Sequence, residues 1–390
     1  MCAAAPLLPR SAAAGPWNIE PRLGVSADYS SNPQLRVVNP NAEEHIAALV
    51  DLPLRYDTDG LELLVRPSGR LSNSRGYSSL ASNYEHVDAA AQIFNELGST
   101  TLQAGLARDS SLAYAGALVN GIGVRRDTAS TGLDWTRTLT ERSQVQLDAS
   151  WTRVRYAEPA NYGFLVDYRY LNAGPTFSMA MGERSTLKIL GNVGQYQSLD
   201  GITMSKSGNL ELGFVRQMSE IWTLSATAGY SRSKNSQKVY FGPFLLGTSS
   251  SNQDGAVYAV TLTRQGQKFN FSSSISRALQ PTGFAYLSNQ DTLSLNGTYT
   301  RSERWDFGLA AVGQRAKNPL VGGGEAVLFS RDQTTRFLRA ELTANWHWTP
   351  QWIVGVHAIR VTQQYGPPTV SGASTEFSVD LVRQFLRTEL

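Results

Sequence analysis

A two-residue rhythm runs through this chain from end to end, and it limits the possible folds more than any other feature. In Val145-Gln146-Leu147-Asp148-Ala149-Ser150-Trp151 the odd positions are apolar and the even ones polar. The pattern returns in Trp222-Thr223-Leu224-Ser225-Ala226-Thr227-Ala228-Gly229-Tyr230. Successive side chains of a strand point to opposite faces, so such segments make a sheet with one oily and one wet face. Roughly eighteen of them fit in the chain, joined by connections that are tight and long in turn. The expected fold is all-β: a single transmembrane antiparallel up-and-down β-barrel of about 18 strands (roughly 16–18), with short periplasmic turns and long extracellular loops. No apolar run in the 390 residues nears the roughly 20 that a spanning helix needs. A mean hydropathy of −0.26 suits a barrel, because half of each strand faces water.

The first segments show the spacing. Leu23, Val25, Ala27 and Tyr29 share a face, and the return segment places Ala48, Val50, Leu52, Leu54 and Tyr56 on one face. Asp57-Thr58-Asp59-Gly60 carries an Asp-Gly turn signal. Further tight turns are expected near Leu97, Glu141, Glu183, Glu220, Gly266, Glu303 and Pro350. The long connections are expected at Asp109 to Gly123, Ala157 to Gly163, Ser231 to Gln253, Leu279 to Gln290, Arg315 to Thr334 and Gln363 to Ser374. An even strand number puts both termini on the periplasmic side. The barrel is expected over 17–386, after a residual signal segment (1–16) and before a tail (387–390).

Trp222, Trp305, Trp348 and Trp352 lie beside tight turns. Tryptophan belongs at a membrane–water boundary, with its ring in the interface and its N–H toward water, so these four are the candidate girdle. The competing fold is a large β-sandwich with the tryptophans in its core. A sandwich does not require short and long connections to alternate over the whole chain, and the four-strand repeat of a propeller is not seen.

Composition removes several functions. A net charge of +3 with scattered Lys and Arg gives no nucleic-acid surface. Cys2 is the single cysteine, so there is no disulfide framework and no Cys-rich metal site. HExxH, GxxxxGK[ST] and GxSxG motifs are missing. No cofactor, metal or enzymatic activity is expected, although a hydrolase could still assemble Ser/His or Asp/His from separate strands. Residues Met1 to Gly15 lack a basic start and are broken by Pro6 and Pro9, which reads as a start that cuts into a signal peptide.

The wet face carries the functional reading. Candidate lumen residues are Glu62, Arg66, Arg70, Asp148, Asn192, Glu211, Asn270, Asn296, Asp306, Arg339, Glu341 and Asp380. Hydroxyls and amides dominate around them, a lining that permits a neutral, hydrated solute; a strongly ion-selective pore more often shows dense rings of one sign. Arg66 and Arg70, with Glu62 beyond, read either as a small ladder for an acidic sugar or as ion pairs that brace the wall. A barrel this wide leaves a passage or needs a plug. A plug would have to come from loops, and Ser231 to Gln253 and Arg315 to Thr334 are long enough.

Trp17-Asn18-Ile19-Glu20-Pro21-Arg22-Leu23-Gly24-Val25, then Asp28-Tyr29-Ser30-Ser31-Asn32-Pro33-Gln34-Leu35, resembles the first hairpin of the bacterial outer-membrane barrels found with exopolysaccharide biosynthesis and exosortase (PEP-CTERM) systems. Ser302-Glu303-Arg304-Trp305 matches the Glu-Arg-Trp-like turns of that family. The resemblance implies a passive conduit or accessory pore in polysaccharide export, partnered by polysaccharide and periplasmic export components. A diffusion porin and a non-transport anchor or receptor remain the alternatives. Phe377 to Phe385 resembles the terminal strand read by the barrel-assembly machinery. The outer-membrane bilayer and that machinery are the remaining expected partners, and no nucleic acid is among them.

Overall fold

The computed structural model describes residues 17–33, 35, 37–73, 83–110, 124–157, 165–241, 244–281, 287–318, 333–365 and 370–389. The chain opens with β1 (Trp17–Ile19) and β2 (Arg22–Ser30), followed by β3 (Glu43–Asp51) and β4 (Leu54–Asp57). Next come β5 (Leu61–Ser72), β6 (Tyr84–Asn95), β7 (Gly98–Ser110), β8 (Arg125–Thr140), β9 (Ser143–Tyr156) and β10 (Tyr168–Gly182). The middle of the chain holds β11 (Ser185–Ser198), β12 (Thr203–Gln217), β13 (Trp222–Phe241), β14 (Phe244–Arg264) and β15 (Phe269–Pro281). It finishes with β16 (Leu287–Ser302), β17 (Trp305–Asn318), β18 (Gln333–His347), β19 (Trp352–Tyr365), β20 (Val370–Gln384) and β21 (Thr388–Glu389).

These 21 segments form one antiparallel sheet. Three of its staves are interrupted: β1 with β2, β3 with β4, and β20 with β21. Pro21 and Pro53 lie in two of the breaks, because proline has no N–H for the ladder. Pairing passes through the second break, where the Leu52 N–H donates to the Pro67 carbonyl at 2.9 Å. Eighteen staves result, and the sheet closes on itself. Arg22↔Gln384 through Ser30↔Glu376 pair β2 with β20, and Asn18↔Glu389 pairs β1 with β21. The tail expected from residue 387 therefore contributes Thr388 and Glu389 to this closure. Residues 1–16 lie outside the described residues.

Hydroxyls set the tight turns. Thr349 Oγ1 accepts from the N–H groups of Gln351 and Trp352 at 3.2 and 3.1 Å, and Ser219 Oγ accepts from Trp222 N–H at 3.2 Å. Ser302 Oγ takes the Arg304 N–H at 3.3 Å. A Ser or Thr that folds its hydroxyl onto the backbone two or three residues ahead makes such a turn without glycine.

The outer connections depart from expectation at two places. Ser231 to Gln253 is a paired hairpin, with register unbroken from Ser231↔Gly255 to Val239↔Gly247 and a tip at Phe241↔Phe244. It is therefore a wall extension and cannot serve as a folded-in plug. The run reads as a loop because both faces of a strand beyond the bilayer meet water, and the apolar alternation lapses there. The connection from Ser198 to Thr203 is also short, turning at Gly201 with φ of 71°. Of the other expected long loops, residues 111–123, 158–164, 282–286, 319–332 and 366–369 lie outside the described residues. The second plug candidate, Arg315 to Thr334, falls mostly among them.

The outer face is oily. Val193, Leu210 and Leu212 are 65%, 63% and 62% exposed, while Ser205 and Ser233, inward on the neighbouring β12 and β13, are both fully buried. A soluble domain would leave such leucines in water. On a barrel they form the lipid-facing band.

The first outer loop latches the seam. Ser30 Oγ meets Ser374 Oγ at 3.0 Å, the Asn32 amide N–H donates to Ser374 Oγ at 3.3 Å, and Asn32 Nδ2 donates to Ala373 O at 3.2 Å. The Ser31 N–H reaches Thr375 O at 3.0 Å, and Ser31 Oγ accepts from the Thr375 N–H at 2.8 Å. The Tyr-Ser-Ser-Asn run thus ties the first stave to the last.

Leu210, halfway along β12 and facing lipid, tests the band. Leu210→Arg should cost about 2–4 kcal/mol, while Asn209→Arg on the inner face should cost about 0.5 kcal/mol. Urea unfolding in liposomes measures both.

Candidate functional site

The twelve candidate lumen residues fall on the inward face. Cross-strand partners share a face, and pairing carries one face around the ring: Asp148↔Gly174, Asn192↔Asn209, Ser272↔Asn296, Thr300↔Asp306, Ala310↔Glu341, Gly355↔Asp380 and Ser26↔Asp380. Arg70 lies opposite Leu49, Arg66 opposite Asp88 and Glu62 opposite Gln92 on the same face.

The inner wall has two chemically different arcs. From β17 through the seam to β8 it is ionic. Arg66 grips Asp51 with two hydrogen bonds of 2.7 and 2.8 Å, Arg70 bonds Asp28, and Arg55 lies 3.4 Å from Glu62. Arg126 forks onto Asp109 at 2.9 and 2.7 Å. Across β18–β20, Arg339 donates to Glu341 at 3.0 Å, and His357 links Glu341 (3.4 Å) to Asp380 (2.9 Å). His347 Nε2 meets Asp306 at 2.8 Å. Each candidate arginine is therefore taken by a carboxylate, and the arrangement ties neighbouring staves together. His347 lies opposite Ile353 and His357 opposite Thr343, as the turn spacing requires. No group of three or more His, Cys, Asp or Glu poised for a metal occurs among the described residues.

From β9 to β16 the wall is almost neutral. Ser150, Thr152, Asn172, Asn192, Asn209, Ser231, Thr292 and Gln314 line a chamber of about 890 Å³ inside the bore. Its charged members are Arg126, already bound to Asp109, and Glu211, which accepts from Asn209 Nδ2 at 2.6 Å. Asn270 and Asn296 lie lower on this arc; Ser274 and Ser294, between the two strands, share a 2.7 Å hydrogen bond.

Toward the outer mouth the chamber's own lining turns apolar, with Val154, Tyr168 and Leu279 on its wall. Val124, Val154, Tyr156, Leu165, Tyr168 and Tyr196 from the outer ends of β8–β11 form a buried cluster with Leu287 at the start of β16, and Leu279 of β15 packs against it. Tyr168 and Tyr196 lie 5.1 Å apart between ring centroids. Staves that are not neighbours in the wall thus meet inside the outer mouth and narrow it. The loops expected to narrow the bore were others. A phase inversion marks the cluster in the sequence: after Trp151 the apolar residues move to even positions (Val154, Tyr156) and arginines take the odd ones (Arg153, Arg155). Reading strands by a single parity passes over it.

The four girdle tryptophans are all at the tight-turn end on the outer face. Trp305 and Trp346 stack at 6.2 Å, and Trp346 and Trp348 at 6.4 Å. Phe307 extends the row 6.0 Å from Trp305. Arg383 sits 5.5 Å over Trp352, and Trp222 begins β13. Trp346 and Phe307 belong to this band too, and they follow from the same outward parity.

A closed ladder, an oily outer band, an aromatic girdle and a hydrated bore define a transmembrane barrel of the outer membrane. No protein-family model matches the chain, and neither does any curated protein. Solved structures similar to it include OccK2 (OpdF) of Pseudomonas aeruginosa in complex with glucuronate, at 11% identity and TM-score 0.48, over 95% of this chain and 100% of that one. Pseudomonas aeruginosa OpdK with vanillate matches at 11% and 0.48, over 94% and 99%. The copper transporter OprC matches at 10% and 0.44, over 94% and 82%. None of these links the chain to exopolysaccharide or exosortase systems.

Replacing Leu287 by Asp should open the mouth cluster, because a carboxylate cannot stay among tyrosines and leucines without a partner. Single-channel conductance in planar bilayers is expected to rise, with refolding yield unchanged. An unaltered conductance would show that the cluster does not limit flow.

Proposed function

We propose that the barrel is a passive diffusion channel for small, neutral, polyhydroxylated solutes. The chamber carries this reading: about 890 Å³ lined by hydroxyls and amides alternating with apolar and aromatic faces such as Tyr168, Tyr170 and Val257 suits a solute of one or two sugar rings, since small-molecule sites span roughly 300–1,000 Å³. Hydroxyl and amide groups both donate and accept, so they can replace the water that such a solute sheds, one hydrogen bond at a time. On the ionic arc Arg66, Arg70, Arg126 and Arg339 are each bound to a carboxylate, which disfavours an acidic solute there. Transport without chemistry fits this wall. Insertion by the barrel-assembly machinery belongs to the same reading.

A conduit for exported polysaccharide, which the resemblance implied, has no such support. A polymer would have to thread past Leu279 and Leu287 at the mouth, and no comparison favours that role.

Liposome swelling tests the proposal. Entry rates should fall in the order pentose, hexose, disaccharide, and glucuronate should enter more slowly than glucose. Asn192→Leu with Thr292→Val should weaken saccharide block of the ion current by about tenfold, as two hydrogen bonds are lost at about 0.5–1.5 kcal/mol each. Equal rates for glucose and glucuronate, or an unchanged block, would overturn it.

A further inference from the structure

The phase inversion that fills the mouth also loads the outer wall with arginine. On the lipid-facing side of β6–β10, just below the outer rim, two cross-strand rows run side by side. The upper row is Glu85↔Arg108↔Asp127↔Arg155, and the lower is Val87↔Leu106↔Ala129↔Arg153. Arg153 faces Arg169 of β10 directly. Two like charges opposite each other across a ladder repel. The carboxylates here are already taken: Asp127 by Arg108 at 2.9 Å and by Arg125 at 3.8 Å, and Glu85 by Arg108 at 3.7 Å. Arg169 spends its guanidinium on Gln197 Oε1 at 2.6 and 3.2 Å. Among the described residues no carboxylate lies within 4.0 Å of Arg153 or Arg155, and the buried Nε of Arg153 has no hydrogen-bond partner. Some outward cations elsewhere on this level are matched, as where Arg277 forks onto Asp291 at 2.6 and 2.9 Å, while Lys206↔Lys234 and Arg315↔Arg336 also set like charges opposite each other; what sets Arg153 and Arg155 apart is the groove beneath them.

The site has a shape as well as a charge. A groove of about 440 Å³ is lined by Val87, Leu106 and Ala129 and by Arg108, Arg153 and Arg155, with Glu85 and Asp127, both engaged by Arg108, on the same wall. One row lower Trp151 faces outward opposite Leu171, the one tryptophan toward the long-loop end of its stave. An apolar channel leading up to unneutralised guanidiniums matches a molecule with acyl chains below and phosphate above. Guanidinium binds phosphate in a fork, with charge-assisted hydrogen bonds.

We propose that this sector of the outer wall binds a phosphorylated glycolipid of the outer leaflet, its phosphate on Arg153 and Arg155 and its acyl chains along Val87, Leu106 and Ala129. The site is independent of what passes through the bore. The full barrel, refolded in neutral detergent, is mixed with diphosphoryl lipid A, with the same lipid stripped of phosphate, or with phosphatidylglycerol, and retained lipid is counted by native mass spectrometry. Diphosphoryl lipid A should be retained over both others. The Arg153→Gln/Arg155→Gln double variant should lose about tenfold in affinity per guanidinium removed. Arg232→Gln, at an already paired arginine on β13, should bind as the parent does. Heat-shifted gel mobility confirms that each variant is folded, and Arg155→Gln alone serves if the double variant is not. Equal retention of the dephosphorylated lipid, equal retention of phosphatidylglycerol, or full binding by the folded variant would each overturn the proposal.

Discussion

Everything in this structure depends on one requirement: in hydrocarbon every backbone N–H and C=O must find a partner within the protein. A sheet meets it only by closing, and closure fixes the rest. It closes the staves into a ring, places one face in lipid and the other around water, and keeps polar chemistry on the outer wall to the levels near the rims. The prolines at Pro21 and Pro53 show how strictly this is observed. Each falls in a short break in a stave, and the ladder resumes beyond it.

The amino-acid pattern exposes this requirement well. The tight turns at Asp57, Ser302 and Thr349, the outward Leu23 and Val25, and the inward Asn192, Glu211 and Asp380 all follow from period-two alternation and turn chemistry. Alternation is informative only where lipid lies on one side and water on the other. Beyond the bilayer that contrast vanishes, so the upper β13–β14 hairpin reads as a loop. The mouth cluster is hidden for a related reason. Tyr168 and Tyr196 occupy the wet parity, and their burial depends on Leu279 and Leu287, residues about a hundred positions away in the chain.

The two arcs of the bore divide labour. Ion pairs near the seam join staves whose ends were joined last, and surface pairs of this kind contribute modestly one by one. The neutral arc sets hydroxyls and amides, rather than ion pairs, along the path of a passing solute. Above both, the inversion at Trp151 sets the upper limit of the lipid band: tyrosines turn inward to narrow the mouth while arginines turn outward to the rim. One shift in phase along β9 and β10 thus shapes two surfaces at once.

The latch between Ser30 and Ser374 joins positions 344 residues apart. Loop-closure entropy grows only logarithmically, about 0.6 kcal/mol for each doubling of length, so remoteness adds little to the free energy of this contact. Its effect is on timing. Nothing can fasten the first stave until the last has been delivered, and until then the nascent sheet carries two raw borders, each a template for pairing with a foreign strand. Biogenesis of such a protein must shelter both borders for the whole of its synthesis and release the finished ring in a single stroke.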